Sequence, residues 1–215
     1  HHIQKWFVLS TLTSRYIGSP ESVMSRDIKS ITEKGFVNFF EEIEASALSD
    51  TFWNITLPQA LETSSTNSPA FNTFLAAQIN LNCNSLFMHG TMVADLLNIS
   101  GDVHHIFPKA YLRGNGVNTK IKYNQVANYI YLDTQVNKAI RDDAPNIYFG
   151  KVLDQCNTKN VMIGNITDCD RLKQNLEQNA VPETVVNMTV KDYDKFLEQR
   201  RYLMAKLIEK YYKKL

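Results

Sequence analysis

The sequence has no uninterrupted apolar run near the ~20 residues a bilayer span requires, so no membrane-crossing helix is expected. Cysteine is scarce: Cys83, Cys156 and Cys169 are odd in number and share no C-x-x-C spacing. That argues against a disulfide scaffold and a structural zinc, and a reducing, cytoplasmic setting is expected. No P-loop and no glycine-rich phosphate cradle occurs among the 8 glycines. Lys and Arg are missing from residues 35–103, which carry seven acidic side chains.

The basic residues gather where that stretch ends. Residues 104–141 hold Lys109, Arg113, Lys120, Lys122, Lys138 and Arg141 against the single acid Asp133, although the whole chain has a net charge of only +1. A local excess of positive charge attracts a phosphate backbone and is screened by salt. A solvated basic face is the plainer alternative. Tyr123, Tyr129 and Tyr131 interleave with these cations, and strand-core packing is the better reading for them than stacking on bases.

At 215 residues, 44% of them hydrophobic, the chain can bury a sizeable core. Apolar spacing predicts helices over 3–17, from Ser19-Pro20 to about Lys34, from Phe36 beyond Gly35, and after Ser68-Pro69. Residues 50–68 read as loop. The pattern changes at Gly101. Residues 102–107 and 129–132 read as short strands, with a turn at Gly114-Asn115-Gly116 and a short helix 134–141 capped by Asp133. Helices resume over about 146–155, 169–179 and 190–213, the last opened by the pair Thr189 and Asp192. The expected fold is α+β and predominantly helical: an N-terminal helical region (3–100), a strand–strand–helix motif (101–142), and C-terminal helices (143–215) on the same body. His89 lacks any motif context and reads as a satisfied helix-end or core residue.

The chemistry concentrates in Asp102-Val103-His104-His105-Ile106-Phe107-Pro108-Lys109, followed by Asn128 and Asn137, 23 and 32 positions after His105. Phosphodiester hydrolysis needs an activated water, charge stabilisation at the phosphate and help for the leaving oxygen. A neutral imidazole can deprotonate the water, and a divalent cation can serve the phosphate. A helix following the second strand can bring the amide of Asn137 toward such a cation.

Asp-Val-His-His-Ile-Phe-Pro-Lys-Ala-Tyr-Leu with Asn-Tyr-Ile-Tyr-Leu-Asp-Thr-Gln-Val-Asn-Lys resembles the ββα-metal (HNH, or His-Me finger) nuclease motif. Its form is closest to the C-terminal domain of GmrSD-type restriction endonucleases, and its spacing is similar to the HNH domain of RNA-guided CRISPR nucleases. Lys5-Trp6-Phe7, Arg15-Tyr16-Ile17-Gly18-Ser19, Asp27, Pro145-Asn146-Ile147-Tyr148 and Arg200-Arg201-Tyr202-Leu203-Met204 extend the resemblance over nearly the whole chain.

The resemblance implies that His105 is the general base, that His104 and Asn137 hold one divalent cation (Mg²⁺ or Mn²⁺), and that Asn128 is structural, pinning the loop between the strands. Lys109, Arg113, Lys138 and Arg141 would contact DNA, and Asp102 would support a ligand. His104 stands where many members of the wider group have Asp. A nitrogen donor there suits Mn²⁺ at least as well as Mg²⁺.

The family also implies a role in restricting modified foreign DNA as a phage defence, with a preceding N-terminal domain of the same protein that would deliver substrate. A single finger should nick; double-strand cleavage would need two encounters or a homo-oligomer. RNA offers the same phosphodiester, and nothing in these residues separates the two. The rival reading is a non-catalytic nucleic-acid-binding or scaffold module that keeps the finger as architecture, with the acidic stretch 35–103 as its docking surface.

Overall fold

Serine–proline pairs start two of the helices. The computed structural model describes residues 1–99 and 103–215. Ser68 has its Oγ 3.3 Å from the backbone N of Phe71 and accepts its hydrogen bond, and Pro69 follows with φ preset for helix. Pro20 opens another helix at its first position, without a cap bond from the Ser19 side chain. Gly35, at φ +80°, ends that helix and begins the next, a conformation that residues with a Cβ adopt rarely.

In chain order α1 (His2–Leu12), α2 (Pro20–Lys34), α3 (Phe36–Ala47), α4 (Leu57–Ala60), α5 (Pro69–Asn80) and α6 (Val93–Ile99) come first. Then β1 (His104–His105), α7 (Lys109–Gly114), α8 (Lys120–Tyr123) and β2 (Tyr129–Ile130) form a small unit. The chain ends in α9 (Thr134–Ile140), α10 (Pro145–Thr158), α11 (Cys169–Gln178) and α12 (Tyr193–Lys214). The protein is predominantly helical, with one two-stranded antiparallel sheet among the described residues. No described helix is long and apolar enough to cross a membrane.

The longest helix, α12, organises the body. Thr189 and Asp192 form a reciprocal capping box just before it. Its buried face (Tyr193, Phe196, Leu197, Met204, Ile208 and Tyr211 among others) packs against α5, α4 and the 3₁₀ turn Val126–Asn128. Phe107 is fully buried, with its ring centroid 4.8 Å from that of Phe196 and 5.1 Å from that of Tyr193. Removing one such ring from water contributes roughly 1.5–3 kcal/mol, so the segment after β1 is anchored to α12. One continuous apolar cluster runs from Val8 to Tyr212 and includes Ile106, Phe107, Tyr129 and Ile130.

Several expectations are corrected. The first helix ends at Leu12, not near residue 17, because Ser14 turns the chain at φ +53°. Arg15 and Tyr16 then bond Asp27 on α2: Nε and Nη2 of Arg15 lie 2.8 and 2.5 Å from its carboxylate, and the Tyr16 hydroxyl 2.9 Å. Residues 50–68 are not a plain loop. Phe52–Thr56 is a π-helical turn continuing into α4, since Trp53, Leu57 and Leu61 recur every four residues and are buried. Lys109–Gly114 is helical within the stretch expected to be a loop between the strands. The strands are two residues each, because Phe107 leaves the ladder to pack on α12. His89 is exposed in a loop, where its backbone N–H and C=O bond the Asn165 side chain at 2.7 and 3.0 Å.

Candidate active site

Pairing of β1 with β2 sets His104 opposite Ile130 and His105 opposite Tyr129. Successive residues of a strand face opposite sides, so the two histidines project in different directions. Both are half-buried. The His105 ring meets the edge of Tyr129 at 5.2 Å between centroids and 84° between planes. Its Nε2 lies 3.0 Å from Oδ1 of Asn124, an amide at the end of α8 that sequence reasoning did not single out. Nothing in Lys122-Tyr123-Asn124-Gln125 marks it; only the fold brings it to the histidine.

The pKa of His105 is lowered from its ordinary value. Burial penalises the imidazolium; the Asn124 hydrogen bond works the other way, and the charges of Lys109 and His104 lower it further. The ring is therefore predominantly neutral at pH 7, the state in which one nitrogen has a lone pair.

Asn128 is fully buried and shapes the loop. Its Oδ1 accepts from Phe107 N at 2.8 Å, and its Nδ2 donates to Phe107 O at 3.1 Å and to Tyr123 O at 3.2 Å. The backbone of Asn128 adds a bond from Ile106 N at 2.9 Å. One amide thus satisfies both polar groups of Phe107, two residues after His105, and ties them to the end of α8. Two further side chains bond neighbouring carbonyls: the Tyr148 hydroxyl donates to Ile106 O at 2.6 Å, and Nη1 of Arg200 donates to Ala127 O at 2.9 Å. Arg200 is buried, and desolvation pushes its pKa down to about 9. The Tyr193 hydroxyl donates to Lys122 O at 3.0 Å, and the Tyr111 hydroxyl accepts from Val190 N.

Asp133 caps α9 by accepting from Gln135 N at 2.8 Å. That cap starts the helix four residues after Ile130, the partner of His104, and places half-buried Asn137 on its second turn. Lys109, Arg113, Lys138 and Arg141 are exposed, and none joins an ion pair among the described residues. The Lys109 ammonium lies over the Tyr123 ring at 5.3 Å. Tyr123 and Tyr129 are buried. Asp102, named as a supporting residue, lies outside the described residues.

No cluster of three or more His, Cys, Asp or Glu capable of holding a metal occurs among the described residues. The donors at issue are an imidazole and an amide, a set such a cluster would not include. Two neutral donors leave most of a six-coordinate sphere to water and phosphate oxygens, as suits a cation that binds together with its substrate. By donor chemistry, an imidazole nitrogen and an amide oxygen are compatible with that kind of site.

Comparison of the chain with protein-family models, with curated proteins and with solved structures gives no match in any of the three.

Proposed function

We propose that this protein is a metal-dependent endonuclease that hydrolyses DNA phosphodiester bonds with a ββα-metal finger of the HNH type. One observation carries the reading. A buried asparagine clamps both polar groups of Phe107, two residues after a half-buried neutral histidine on a short strand, and a capped helix bearing Asn137 follows the partner strand. The strand, strand, helix order across these residues supports the reading.

In this reading His105 takes a proton from the attacking water. Its burial keeps it neutral, and the contact with Tyr129 limits its rotation. His104 and Asn137 hold a divalent cation, which when bound offsets the charge developing on the phosphate and leaving oxygen. Lys109, Arg113, Lys138 and Arg141 bind the strand through phosphates, which gives affinity without sequence information. The resemblance to GmrSD-type C-terminal domains makes restriction of modified DNA the proposed biological role, with a further N-terminal domain of the same protein delivering substrate in a cytoplasmic setting.

The test is nicking of supercoiled plasmid with Mn²⁺, Mg²⁺ or EDTA. The expected outcome is metal-dependent nicking at least as fast with Mn²⁺ as with Mg²⁺. A clear Mg²⁺ advantage counts against His104 as a direct ligand. The rival reading is a non-catalytic nucleic-acid-binding or scaffold module that keeps the finger as architecture. A scaffold predicts that His104→Ala leaves divalent-metal affinity unchanged.

A further inference from the structure

We propose that Asn124 is a positioning residue that selects the working nitrogen of His105. By accepting the Nε2 proton, it leaves the lone pair on Nδ1 as the atom that takes the water's proton. This rests on the nuclease reading of His105 and adds to it a residue that no sequence motif marks.

Tyr129 meets the imidazole at 5.2 Å and 84°, and its own hydroxyl bonds Ser64 O at 3.4 Å. A ring wall of this kind limits the plane of the imidazole. It does not distinguish that plane from its half-turn, in which each ring nitrogen exchanges places with a carbon. The bond from Nε2 to Asn124, at 3.0 Å, makes that distinction, because the half-turn would put a C–H against the amide oxygen.

The tautomer follows. With Nε2 committed to Asn124, only Nδ1 is left to meet a water. The amide presents Oδ1 to Nε2, and an amide oxygen can only accept, so the proton sits on Nε2 and the lone pair on Nδ1. The reverse amide orientation would donate to Nε2, put the proton on Nδ1 and leave the water with no acceptor.

Asn124 is itself well placed to impose this. Its N–H bonds Lys120 O at 2.9 Å. The preceding carbonyl, Tyr123 O, accepts from Asn128 at 3.2 Å and Tyr193 at 3.4 Å, and Val126 N donates to Thr63 O at 2.8 Å. The amide is thus held between two fixed points of backbone. Among the described residues, the charged and titratable neighbours of the ring are Lys109, His104 and Tyr129.

Imidazole nitrogen NMR on the metal-free full chain tests the proposal independently of activity. Wild type should show His105 protonated on Nε2, Asn124→Ala a mixture of both forms, and Asn124→Asp, which keeps the acceptor and the shape, the Nε2–H form again. In plasmid nicking, Asn124→Ala should lower kcat by on the order of 10- to 100-fold with KM little changed, and Asn124→Asp should recover part of the loss. An Nδ1–H form in wild type, or an unaltered Nε2–H form in folded Asn124→Ala, overturns the proposal. If the NMR behaves as expected but no condition yields nicking, the positioning stands and the nuclease reading falls. If nicking needs His105 yet Asn124→Ala keeps full kcat, the nuclease stands and the positioning falls.

Discussion

Replacing Asn128 should unfold the region around the histidines before any other single polar change does. In Asn128→Ala the buried N–H and C=O of Phe107 lose their hydrogen-bond partner, and Tyr123 O is left only a 3.4 Å contact with the Tyr193 hydroxyl, whose one proton it shares with Lys122 O. Each orphaned buried group costs roughly 1–3 kcal/mol, so the variant should lose about 4 kcal/mol. For a chain of this size that is a fall of roughly 8–16 °C in melting temperature. Asn128→Asp separates hydrogen bonding from shape. The new carboxylate still accepts from Phe107 N, but when ionised it faces Phe107 O and Tyr123 O with no proton to donate. Burial and those carbonyls raise its folded pKa above the ~3.9 of an exposed Asp. The folded state then binds the proton more tightly than the unfolded state. The variant should therefore be least impaired below about pH 4 and lose about 1.4 kcal/mol per pH unit until the folded pKa is passed. Urea denaturation of both variants and wild type at pH 4 and pH 7.5 reads this directly. A loss under about 1 kcal/mol in Asn128→Ala, or a deficit in Asn128→Asp that does not grow with pH, refutes the clamp.

Other outcomes follow from the same geometry. A Cβ on Gly164, at φ +64°, would stand 2.1 Å from Phe87 O, whereas one on Gly90, at φ +90°, meets nothing within 4 Å. Gly164→Ala should thus lower thermal stability well beyond Gly90→Ala, which carries only the ~1 kcal/mol of backbone strain; equal losses would contradict the packing. Burial raises the Asp27 pKa, but hydrogen bonds from Arg15 and Tyr16 outweigh it and the net shift is downward. Its stabilisation is present above the ordinary carboxylate value and is lost as pH falls below it. Asp27→Asn should cost about 2 kcal/mol at pH 7, less than a fully buried pair because Arg15 is partly exposed, and the difference from wild type should shrink toward pH 3 in denaturant titrations. Because the His105 pKa is lowered, the acid limb of the nicking rate should lie below pH 6.5, the value for a free imidazole. A limb above it would contradict a neutral, half-buried base.

The helices were legible where sequence punctuation is strong. Ser-Pro at 19–20 and 68–69, Gly35, Asp133 and the Thr189–Asp192 pair each act through local backbone chemistry. The order strand, strand, helix across 104–140 was readable from short apolar runs, as were the positions of Asn128 and Asn137 between and after them. What escaped depended on distant partners. Phe107 leaves the strand for Tyr193 and Phe196, more than 80 residues away, so no local pattern could show how short the ladder is. Trp53, Leu57 and Leu61 repeat at helical spacing, but Pro58 and the Ser/Thr run after them hid the helix. Asn124 had no signal, since its value lies in a contact formed only after the chain between the strands folds.

The central claim is that His105 is the base of a metal-dependent nuclease. Nicking of supercoiled plasmid by wild type and His105→Ala, with Mn²⁺ and with EDTA, tests it most directly. The expected result is metal-dependent nicking by wild type and a loss on the order of 10²-fold or more in a folded His105→Ala protein. Equal nicking by both proteins, or nicking that persists in EDTA, would contradict it.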